Sequence, residues 1–554
     1  MSFVLRNKIL FMLVLVIAVT NCAVIDDDFT ADKPGIINQC SRLAELSLPH
    51  SMITNAELIA SGNFSTPEGK SHVVPSFCRV QGISMPTKDS HINFEVWMPA
   101  KNWNGRYYQY GEGGLGGAIN YASLAHLLNE GNAVAATDDG HVRDKEGTAT
   151  WARDEQKVID GFSFSLKETY ENATRIVKAF YHRKPQYHYF SGCSGGGRQA
   201  FIAAQRYPQD WDGILAGAPG NDTVRIYSTF AALGKLWRDH PEGRISPKKL
   251  PAIQKASISA CQKDAFVIDG IAADPRLCRF DPAVLACQDV ETDSCLTRAQ
   301  QSMLESIYNG VSLEAVDGER YSGIVPTTEN SVNFKNWITG SSPRNDVPPA
   351  VVFLGNRFFR NFIYHNPEWD VAQFDRQVDP YFAKNKMISG KTFSSIADVN
   401  STDLSLLKTY GTKLVVYSGW GDVGILPDDV IAYYEDVVKQ SGGLETTQNF
   451  FRLFMVPGMA HCKGGPGANA FGQPYGLPGL QVDATHDITK MLEAWVEHDA
   501  TPEQLVVTKY IADDPNKGVS FTRPICAYPT VPAYKGSGNP DFAENFRCVA
   551  GRAP

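Results

Sequence analysis

The run Ser191-Gly192-Cys193-Ser194-Gly195-Gly196-Gly197-Arg198 lies between a strand-like segment at 187–190 and a helix-like segment at 195–207. It fits the pattern G-x-S-x-G, in which a serine sits on a strained turn between a strand and a helix with its hydroxyl exposed. Small neighbours are needed because strand and helix approach closely at such a turn. The run therefore predicts an α/β fold with Ser194 as a candidate nucleophile. A glycine-rich connecting loop is the open alternative.

Strand-like and helix-like segments alternate on both sides of this turn. Strand-like runs at 93–98, 107–110 and 133–137 are separated by a helix-like run at 118–130. This alternation is typical of parallel strands joined by helical crossovers. It stops at residue 223, where clustered cysteines, aromatic residues and proline-rich loops begin, and it returns after residue 394. We therefore predict a core in two parts, 22–222 and 395–554, that is split by an inserted unit at 223–394.

Candidate partners for Ser194 follow two later strand-like runs. A nucleophilic serine needs a base and an acid that orients the base, and with G-x-S-x-G the order along the chain is Ser, Asp, His. The run 413–418 leads to Asp422, and the run 451–456 leads to His461. Ligand crevices of α/β sheets lie beyond the carboxyl ends of strands, so we predict that Asp422 and His461 join Ser194. The alternative is that each is a solvated or capping loop residue.

Two cysteines flank these candidates. Cys193 precedes Ser194, and Cys462 follows His461. A serine and a histidine within hydrogen-bond reach would bring the Cα atoms of their neighbours close to disulfide range. We therefore predict a Cys193–Cys462 bridge, with two unrelated structural cysteines as the alternative.

Composition excludes several classes of protein. The chain has 554 residues, of which 43% are hydrophobic and 20% charged, as in a globular protein with a large core and not in a disordered or fibrous one. Lys and Arg number 52 against 60 Asp and Glu, which gives a formal charge of −8. This balance argues against a nucleic-acid partner, which would require a basic face.

The amino terminus reads as an export signal, predicted at residues 1–21. Arg6 and Lys8 precede an apolar run at 9–19 that is too short to span a bilayer comfortably, and we expect no other membrane span. Cys22 follows directly, so a lipid anchor at Cys22 is the alternative to ordinary cleavage. Without Cys22 the 11 cysteines become ten, an even number suited to five disulfides in an oxidising compartment. We expect a secreted or periplasmic protein.

The residue pairs Cys193-Ser194 and His461-Cys462, together with Asp422, resemble the catalytic signature of the tannase and feruloyl esterase family, which also includes mono(2-hydroxyethyl) terephthalate hydrolase. The likeness covers most of the chain after about residue 40. Further matching segments are 103–106, 111–117, 137–141, 213–219, 295–297 and 534–538. The resemblance implies an α/β-hydrolase core with an inserted lid domain that covers the active site and selects an aromatic acyl group. Aromatic and arginine side chains of the insertion are candidates for the acyl pocket or for the core of the lid: Phe353, Arg357, Phe358, Phe359, Arg360, Phe362 and Tyr364.

The resemblance also implies an oxyanion hole made by the backbone N–H groups of Gly195 and Gly114, with Gly113 as the neighbouring alternative to Gly114. The segment 111–116 also fits the dinucleotide pattern G-x-G-x-x-G, with Glu130 about 20 residues further on. Export and the tyrosine-rich preceding strand argue against a nucleotide. Glycines that let backbone N–H groups approach an acyl oxygen are the preferred interpretation.

Members of the family often carry a calcium loop in the insertion, and this sequence departs from it. Gln262 and Ala265 occupy two positions where the family has Asp, whereas Asp269 is retained. Calcium needs six to eight oxygens, so a structural calcium ion is only an option, and no cofactor is required for the chemistry. The ligands would be Asp264 and Asp269 with the carbonyls of Val267 and Ile271. The alternative is a loop stapled by disulfides, with the predicted pairs Cys261–Cys278, Cys287–Cys295, Cys40–Cys78 and Cys526–Cys548.

The sequence thus predicts an exported serine esterase that uses Ser194, His461 and Asp422. The expected substrate is a small aromatic ester or a plant cell-wall ester of the hydroxycinnamic (feruloyl) type, with a galloyl ester as the runner-up. A hydrolase-like binding protein without catalytic activity is the alternative from another class, since fold alone does not establish function. A dinucleotide-dependent oxidoreductase is a more distant one.

Overall fold

The computed structural model describes residues 34–144, 147–310, 322–342, 344 and 346–551. The predicted signal segment 1–21 and the candidate lipid site Cys22 lie outside the described residues. Within the described ranges, no helix has the length and apolar character needed to cross a membrane.

A nine-stranded sheet forms the centre of the molecule, in the order β1-β4-β5-β7-β6-β8-β9-β12-β13. From β7 to β13 each strand runs parallel to its neighbour, whereas β1, β4, β5 and β7 pair antiparallel in succession. The strands of the described chain are β1 (Ser51–Ile59), β2 (Gly62–Ser65), β3 (Ser71–Val74), β4 (Phe77–Ser84), β5 (Ile92–Pro99), β6 (Arg106–Tyr110), β7 (Ala133–Thr137), β8 (Tyr187–Cys193), β9 (Gly213–Gly217), β10 (Met387–Ile388), β11 (Lys391–Thr392), β12 (Lys413–Gly419), β13 (Phe451–Val456), β14 (Gln504–Tyr510), β15 (Val519–Cys526), β16 (Thr530–Tyr534) and β17 (Phe546–Ala550).

Helices connect these strands. Those of the described chain are α1 (Pro34–Arg42), α2 (Tyr121–Asn129), α3 (Glu155–Ile159), α4 (Ser165–Tyr181), α5 (Gly195–Arg206), α6 (Thr223–Asp239), α7 (Leu250–Ser259), α8 (Arg298–Tyr308), α9 (Val332–Phe334), α10 (Ala350–Phe358), α11 (Asp379–Asn385), α12 (Phe393–Ala397), α13 (Ser405–Tyr410), α14 (Pro427–Gln440), α15 (Leu444–Gln448) and α16 (Ile488–His498). Helix α4 packs on β5 and β7, α5 on β8 and β9, and α16 on β9 and β12. Every residue of β7, β9 and β13 is buried, as expected for parallel strands covered on both faces. The predicted α/β fold is confirmed.

Between β9 and β12 the regular elements of the described chain are short to medium helices joined by loops, apart from the β10–β11 pair. Helices α6 and α10 approach so closely that a Cβ atom on Gly355 would lie 2.8 Å from the Cα of Ala231. Their apolar side chains belong to a second hydrophobic cluster, separate from the one around the central sheet. It also includes Leu115 after β6 and Phe162 after β7. This cluster therefore joins the helical region to the loops that follow two central strands. The domain boundaries at 222/223 and 394/395 remain predictions.

Candidate active site

Ser194 occupies the turn between β8 and α5 with φ 63° and ψ −115°, a conformation that L-residues rarely adopt. The N–H of Ser194 donates to the carbonyl of Gly217 on the adjacent strand at 2.9 Å, which holds the turn. A Cβ atom on Gly192 would lie 2.5 Å from the carbonyl oxygen of Gly196, so this position requires glycine. The turn thus presents the hydroxyl of Ser194 at the amino terminus of α5, where backbone N–H groups are free to bind an anion.

His461 and Asp422 lie in the loops after β13 and β12 and are joined to Ser194 by hydrogen bonds. Nδ1 of His461 is 2.8 Å from Oδ2 of Asp422, and Nε2 is 2.8 Å from Oγ of Ser194. An ionised carboxylate only accepts hydrogen bonds, so Nδ1 carries the proton and Nε2 is free to accept from the serine hydroxyl. The structure therefore brings the three predicted residues together in one continuous series of hydrogen bonds.

Asp422 is held rigidly. Its carboxyl group is 1% exposed, and Oδ1 accepts the N–H groups of Gly424 at 2.8 Å and Ile425 at 2.9 Å. The other oxygen, Oδ2, points at His461. Burial by itself lowers the pKa of His461, but the charge of Asp422 and its hydrogen bond outweigh this effect and raise the pKa above its usual 6.5. The imidazole is therefore a stronger base than a free histidine.

A disulfide joins the residues next to Ser194 and His461. The sulfur atoms of Cys193 and Cys462 are 2.05 Å apart and their Cα atoms 6.1 Å apart, and both residues are buried. The described chain contains four further disulfides, Cys40–Cys78, Cys261–Cys278, Cys287–Cys295 and Cys526–Cys548. The Cys193–Cys462 disulfide fixes the backbone of the serine turn to that of the histidine loop.

The loop between β6 and α2 brings Gly114 next to Gly195. Gly114 has φ +66°, which favours glycine. A Cβ atom built on Gly195 would lie 2.9 Å from the backbone nitrogen of Gly114 and 2.2 Å from its carbonyl oxygen. The two residues predicted to form an oxyanion hole are therefore immediate neighbours beside Ser194.

Two cavities meet at Ser194. An outer groove of about 620 Å³ carries polar and charged side chains, among them Lys70, Glu112, Arg143, Asp144, Lys463 and Tyr475. An inner cavity of about 100 Å³ is largely apolar, with Phe162, Ile226, Phe230 and Ile425 in its wall. Both are bordered by Gly114, Leu115, Ser194, Trp337, Leu354, Arg357 and His461. An ester whose carbonyl lies at Ser194 would thus direct its two halves into different environments.

Two arginines and a tyrosine are among the polar side chains that line the inner cavity. Arg198 is 4% exposed, its guanidinium lies 4.0 Å from the ring centroid of Phe162, and its Nη1 has no hydrogen-bond partner among the described residues. Burial lowers the pKa of Arg198 to about 10. Arg357 donates to the hydroxyl of Tyr227 at 3.2 Å. These groups give an otherwise apolar cavity a means of recognising oxygen atoms.

The sequence left seven aromatic and arginine side chains open between the acyl pocket and the core of the lid, and one of the seven lies at the cavities described above. Arg357 lines both cavities. Phe358, Phe359 and Phe362 are fully buried in the second hydrophobic cluster. Arg360 donates to the carbonyl of Trp369, Tyr364 to Asp379, and Phe353 is 44% exposed. The sequence missed Trp337, whose ring centroid lies 5.6 Å from that of His461, because no motif marks it.

In the loop that the sequence offers for calcium, the retained carboxylate has a cationic side-chain partner. Oδ2 of Asp269 accepts a hydrogen bond from Arg523 at 3.0 Å, and the carbonyl of Ile271 accepts the N–H of Ile268 at 3.0 Å. No group of three or more His, Cys, Asp or Glu residues arranged for a metal occurs in the described ranges, in which the side chain of Asp264 is not included. The guanidinium of Arg523 already supplies a positive charge at the retained carboxylate, and Val267 offers only a carbonyl.

Comparisons with known proteins identify the family of this chain. The family model described as tannase and feruloyl esterase matches residues 78–549. An uncharacterized esterase of Xanthomonas campestris pv. campestris is 41% identical over 532 residues, covering 92% of this chain and 91% of that protein. A probable feruloyl esterase of Arthroderma benhamiae is 31% identical over 475 residues, 82% of each chain. The crystal structure of feruloyl esterase B from Aspergillus oryzae aligns with a TM-score of 0.82 and 25% identity over 93% of this chain and 100% of the other. The chain therefore belongs to the tannase and feruloyl esterase family and is a carboxylic ester hydrolase with an α/β-hydrolase fold.

Proposed function

We propose that this esterase hydrolyses esters of aromatic carboxylic acids of the feruloyl type through a covalent acyl-enzyme. The observation that carries the proposal is the chain of 2.8 Å hydrogen bonds from Asp422 through His461 to Ser194, at the point where the outer groove meets the inner cavity. Ser194 is the nucleophile, His461 the general base and acid, and Asp422 the residue that orients and stabilises the imidazolium.

The first half of the reaction forms the acyl-enzyme. Oγ of Ser194 attacks the ester carbonyl carbon while Nε2 of His461 takes the hydroxyl proton, and the carbonyl π electrons move to the oxygen. The N–H groups of Gly195 and Gly114 hold the resulting oxyanion. When the tetrahedral intermediate collapses, the C–O bond to the alcohol breaks and His461 donates its proton to the departing oxygen. A water molecule repeats the cycle and releases the carboxylic acid.

We assign the acyl group to the inner cavity and the alcohol to the outer groove. The apolar wall and the volume of about 100 Å³ suit one aromatic ring, and Tyr227, Arg198 and Arg357 meet the oxygen substituents of such a ring. The groove is larger and polar, as an alcohol attached to a sugar requires. A plant cell-wall feruloyl ester fits both halves. A galloyl ester, whose ring also carries several oxygens, is the second candidate.

We also propose that the protein works outside the cytoplasm, secreted or in a periplasm. Five disulfides support this, because they persist in oxidising compartments. Attachment through a lipid at Cys22 is the alternative to free release.

The test is hydrolysis of methyl ferulate, methyl gallate and a terephthalate half-ester by the mature protein, with Ser194→Ala in parallel. We expect at least one ester to turn over and Ser194→Ala to lose roughly 10⁴-fold or more in kcat. Ser306→Ala is the matched control, since the Ser306 hydroxyl makes an exposed hydrogen bond within the described residues, donating to the carbonyl of Ser302 on α8, far along the chain from the serine turn. Equal inactivity of wild type and Ser194→Ala, with the esters still bound, would favour the binding-protein alternative.

A further inference from the structure

The glycine loop that carries Gly114 is fastened at both ends by backbone hydrogen bonds. The N–H of Gly111 donates to the carbonyl of Ser191 at 2.9 Å. At the other end, the N–H of Gly117 donates to the carbonyl of Asp138 at 3.1 Å, and the carbonyl of Gly117 accepts the N–H of Arg143 at 2.8 Å. The backbone of Arg143 is therefore held beside the loop, which fixes the position from which its side chain extends.

The side chain of Arg143 then crosses the middle of the loop. Nε and Nη2 donate to the carbonyl of Gly116 at 3.2 and 3.1 Å, and Nη2 also donates to the carbonyl of Gly113 at 3.2 Å. The carbonyl of Gly113 accepts a second bond, from the N–H of Gly116 at 3.3 Å. One guanidinium thus bridges two carbonyls that flank Gly114.

The carbonyl of Gly113 and the N–H of Gly114 belong to the same peptide group. Donors on a carbonyl oxygen draw electron density through the planar amide and make its N–H a stronger donor, as in any chain of hydrogen bonds. A positively charged donor does this more than a neutral one. The charge of Arg143 therefore reaches the N–H that faces the developing oxyanion.

We propose that Arg143 is a positioning residue of the oxyanion hole, which orients and polarises the peptide between Gly113 and Gly114. This inference rests on the proposed function, because it assumes that the N–H of Gly114 binds the oxyanion. Arginine suits the task because its rigid planar fork spans two carbonyls, whereas an ammonium is a point charge on a flexible stem. Substrate in the groove, which Arg143 lines, excludes water and strengthens the effect.

The test compares Arg143→Met and Arg143→Lys with wild type on a neutral methyl ester. Removing a whole oxyanion donor lowers kcat roughly 10²–10³-fold, so loss of its polarisation in Arg143→Met should lower kcat by about tenfold to 100-fold. KM should change less than twofold, because the ground-state carbonyl gains little from the N–H. Arg143→Lys should recover part of kcat by restoring the charge.

Binding of two inhibitors separates this role from a general structural one. An aryl trifluoromethyl ketone forms a tetrahedral oxyanion with Ser194, and its affinity for Arg143→Met should fall by the same factor as kcat. The affinity of the corresponding aryl methyl ketone, which is neutral and remains an uncharged ketone at Ser194, should stay within twofold. Equal weakening of both ligands, or a shift confined to KM, would overturn the proposal in favour of a substrate-contact role.

A second groove cation provides the matched control. Lys463 lies 4.1 Å from the ring centroid of Tyr475 and lines the same groove, and no hydrogen bond from it to the glycine loop is described. Lys463→Met should therefore cost kcat much less than Arg143→Met does. Equal losses would show a diffuse field of cations and overturn the inference. Inactivity of the wild type on every ester would instead contradict the proposed function.

Discussion

The two halves of the candidate catalytic machinery are held by different kinds of bond. A disulfide ties the serine turn to the histidine loop, Cys193 to Cys462. The glycine loop has no covalent tie within the described chain and is held by hydrogen bonds, several of them from Arg143. Proton transfer between Ser194 and His461 depends on a short distance, which a covalent tie protects. Stabilisation of an oxyanion depends on electric polarisation, which only a charged or polar contact supplies.

Within one site, the serine–histidine distance and the position of the glycine loop are thus fixed by two different kinds of bond. The loops that carry Asp422 and His461 both follow strands of the buried parallel sheet. The loop after β13 is held in addition by the disulfide Cys193–Cys462. The loop after β6 instead relies on glycine conformations and on a guanidinium. Three experiments test this difference between the serine–histidine pair and the glycine loop.

The largest effect is expected from removing the covalent tie. The double variant Cys193→Ala/Cys462→Ala should lose about 10²-fold in kcat, since a displacement of about 1 Å costs that much. It should also lose roughly 2–5 kcal/mol of unfolding free energy, measured with urea. The control is the double variant Cys287→Ala/Cys295→Ala. It removes a disulfide in the helical region between cysteines that are 8 residues apart in the sequence, and it should keep nearly full kcat. Full activity without the Cys193–Cys462 bridge would show that the sheet alone sets the distance between Ser194 and His461.

The next largest effect is expected in the pH dependence of kcat/KM, which reports on His461 and not on the glycine loop. Only neutral His461 accepts the proton of Ser194, so kcat/KM should fall about tenfold per pH unit below the pKa of His461, which lies above 6.5. Asp422→Asn removes the charge that raises this pKa and should move the midpoint to lower pH. Arg143→Met should lower the plateau and leave the midpoint in place. A shift of the midpoint in Arg143→Met would show that the two halves are coupled electrostatically.

The smallest effect concerns the loop of the Cys261–Cys278 disulfide, where Ile271 contacts the histidine loop near Gly458. Since Arg523 holds Asp269, added calcium or a chelator should leave the midpoint of thermal unfolding and kcat unchanged. Arg523→Met should cost about 1 kcal/mol or less, because Asp269 is largely exposed. A rise of several degrees in the unfolding midpoint with calcium would contradict the assignment of Arg523 as the cation of this loop.

The parallel half of the sheet was predictable because its strands are mostly buried, several of them as apolar runs, with a turn at the end of each. The predicted runs 413–418 and 451–456 correspond to β12 and β13, and the predicted helix 195–207 to α5. The antiparallel strands β1 and β4 were missed. No residue of β1 is buried, so the strand carries no clear apolar pattern, and the buried residues of β4 are interrupted by the polar Arg79 and Gln81.

The reactive residues were predictable for the same local reason, whereas the cavities were not. Ser194 follows a strand directly, and Asp422 and His461 lie in the loops just beyond two others, so chain order alone places them at one edge of the sheet. Tyr227 and Trp337 come from the helical region, and their position depends on how α6 and the helical turn after α9 pack against the loops after β6 and β7. Arg143 was missed because its role lies in contacts to backbone carbonyls, which leave no pattern in the sequence.

The order of the cysteines along the chain has a consequence for biosynthesis. Four of the five disulfides join neighbouring cysteines, but Cys193–Cys462 spans 269 residues and encloses both Cys261–Cys278 and Cys287–Cys295. Four cysteines lie between Cys193 and Cys462 in the sequence and are therefore made before Cys462. A chain oxidised in strict order of synthesis would pair Cys193 wrongly and separate Ser194 from His461. Production of active enzyme therefore depends on a host compartment that delays or reshuffles the bonds of Cys193 through thiol–disulfide exchange.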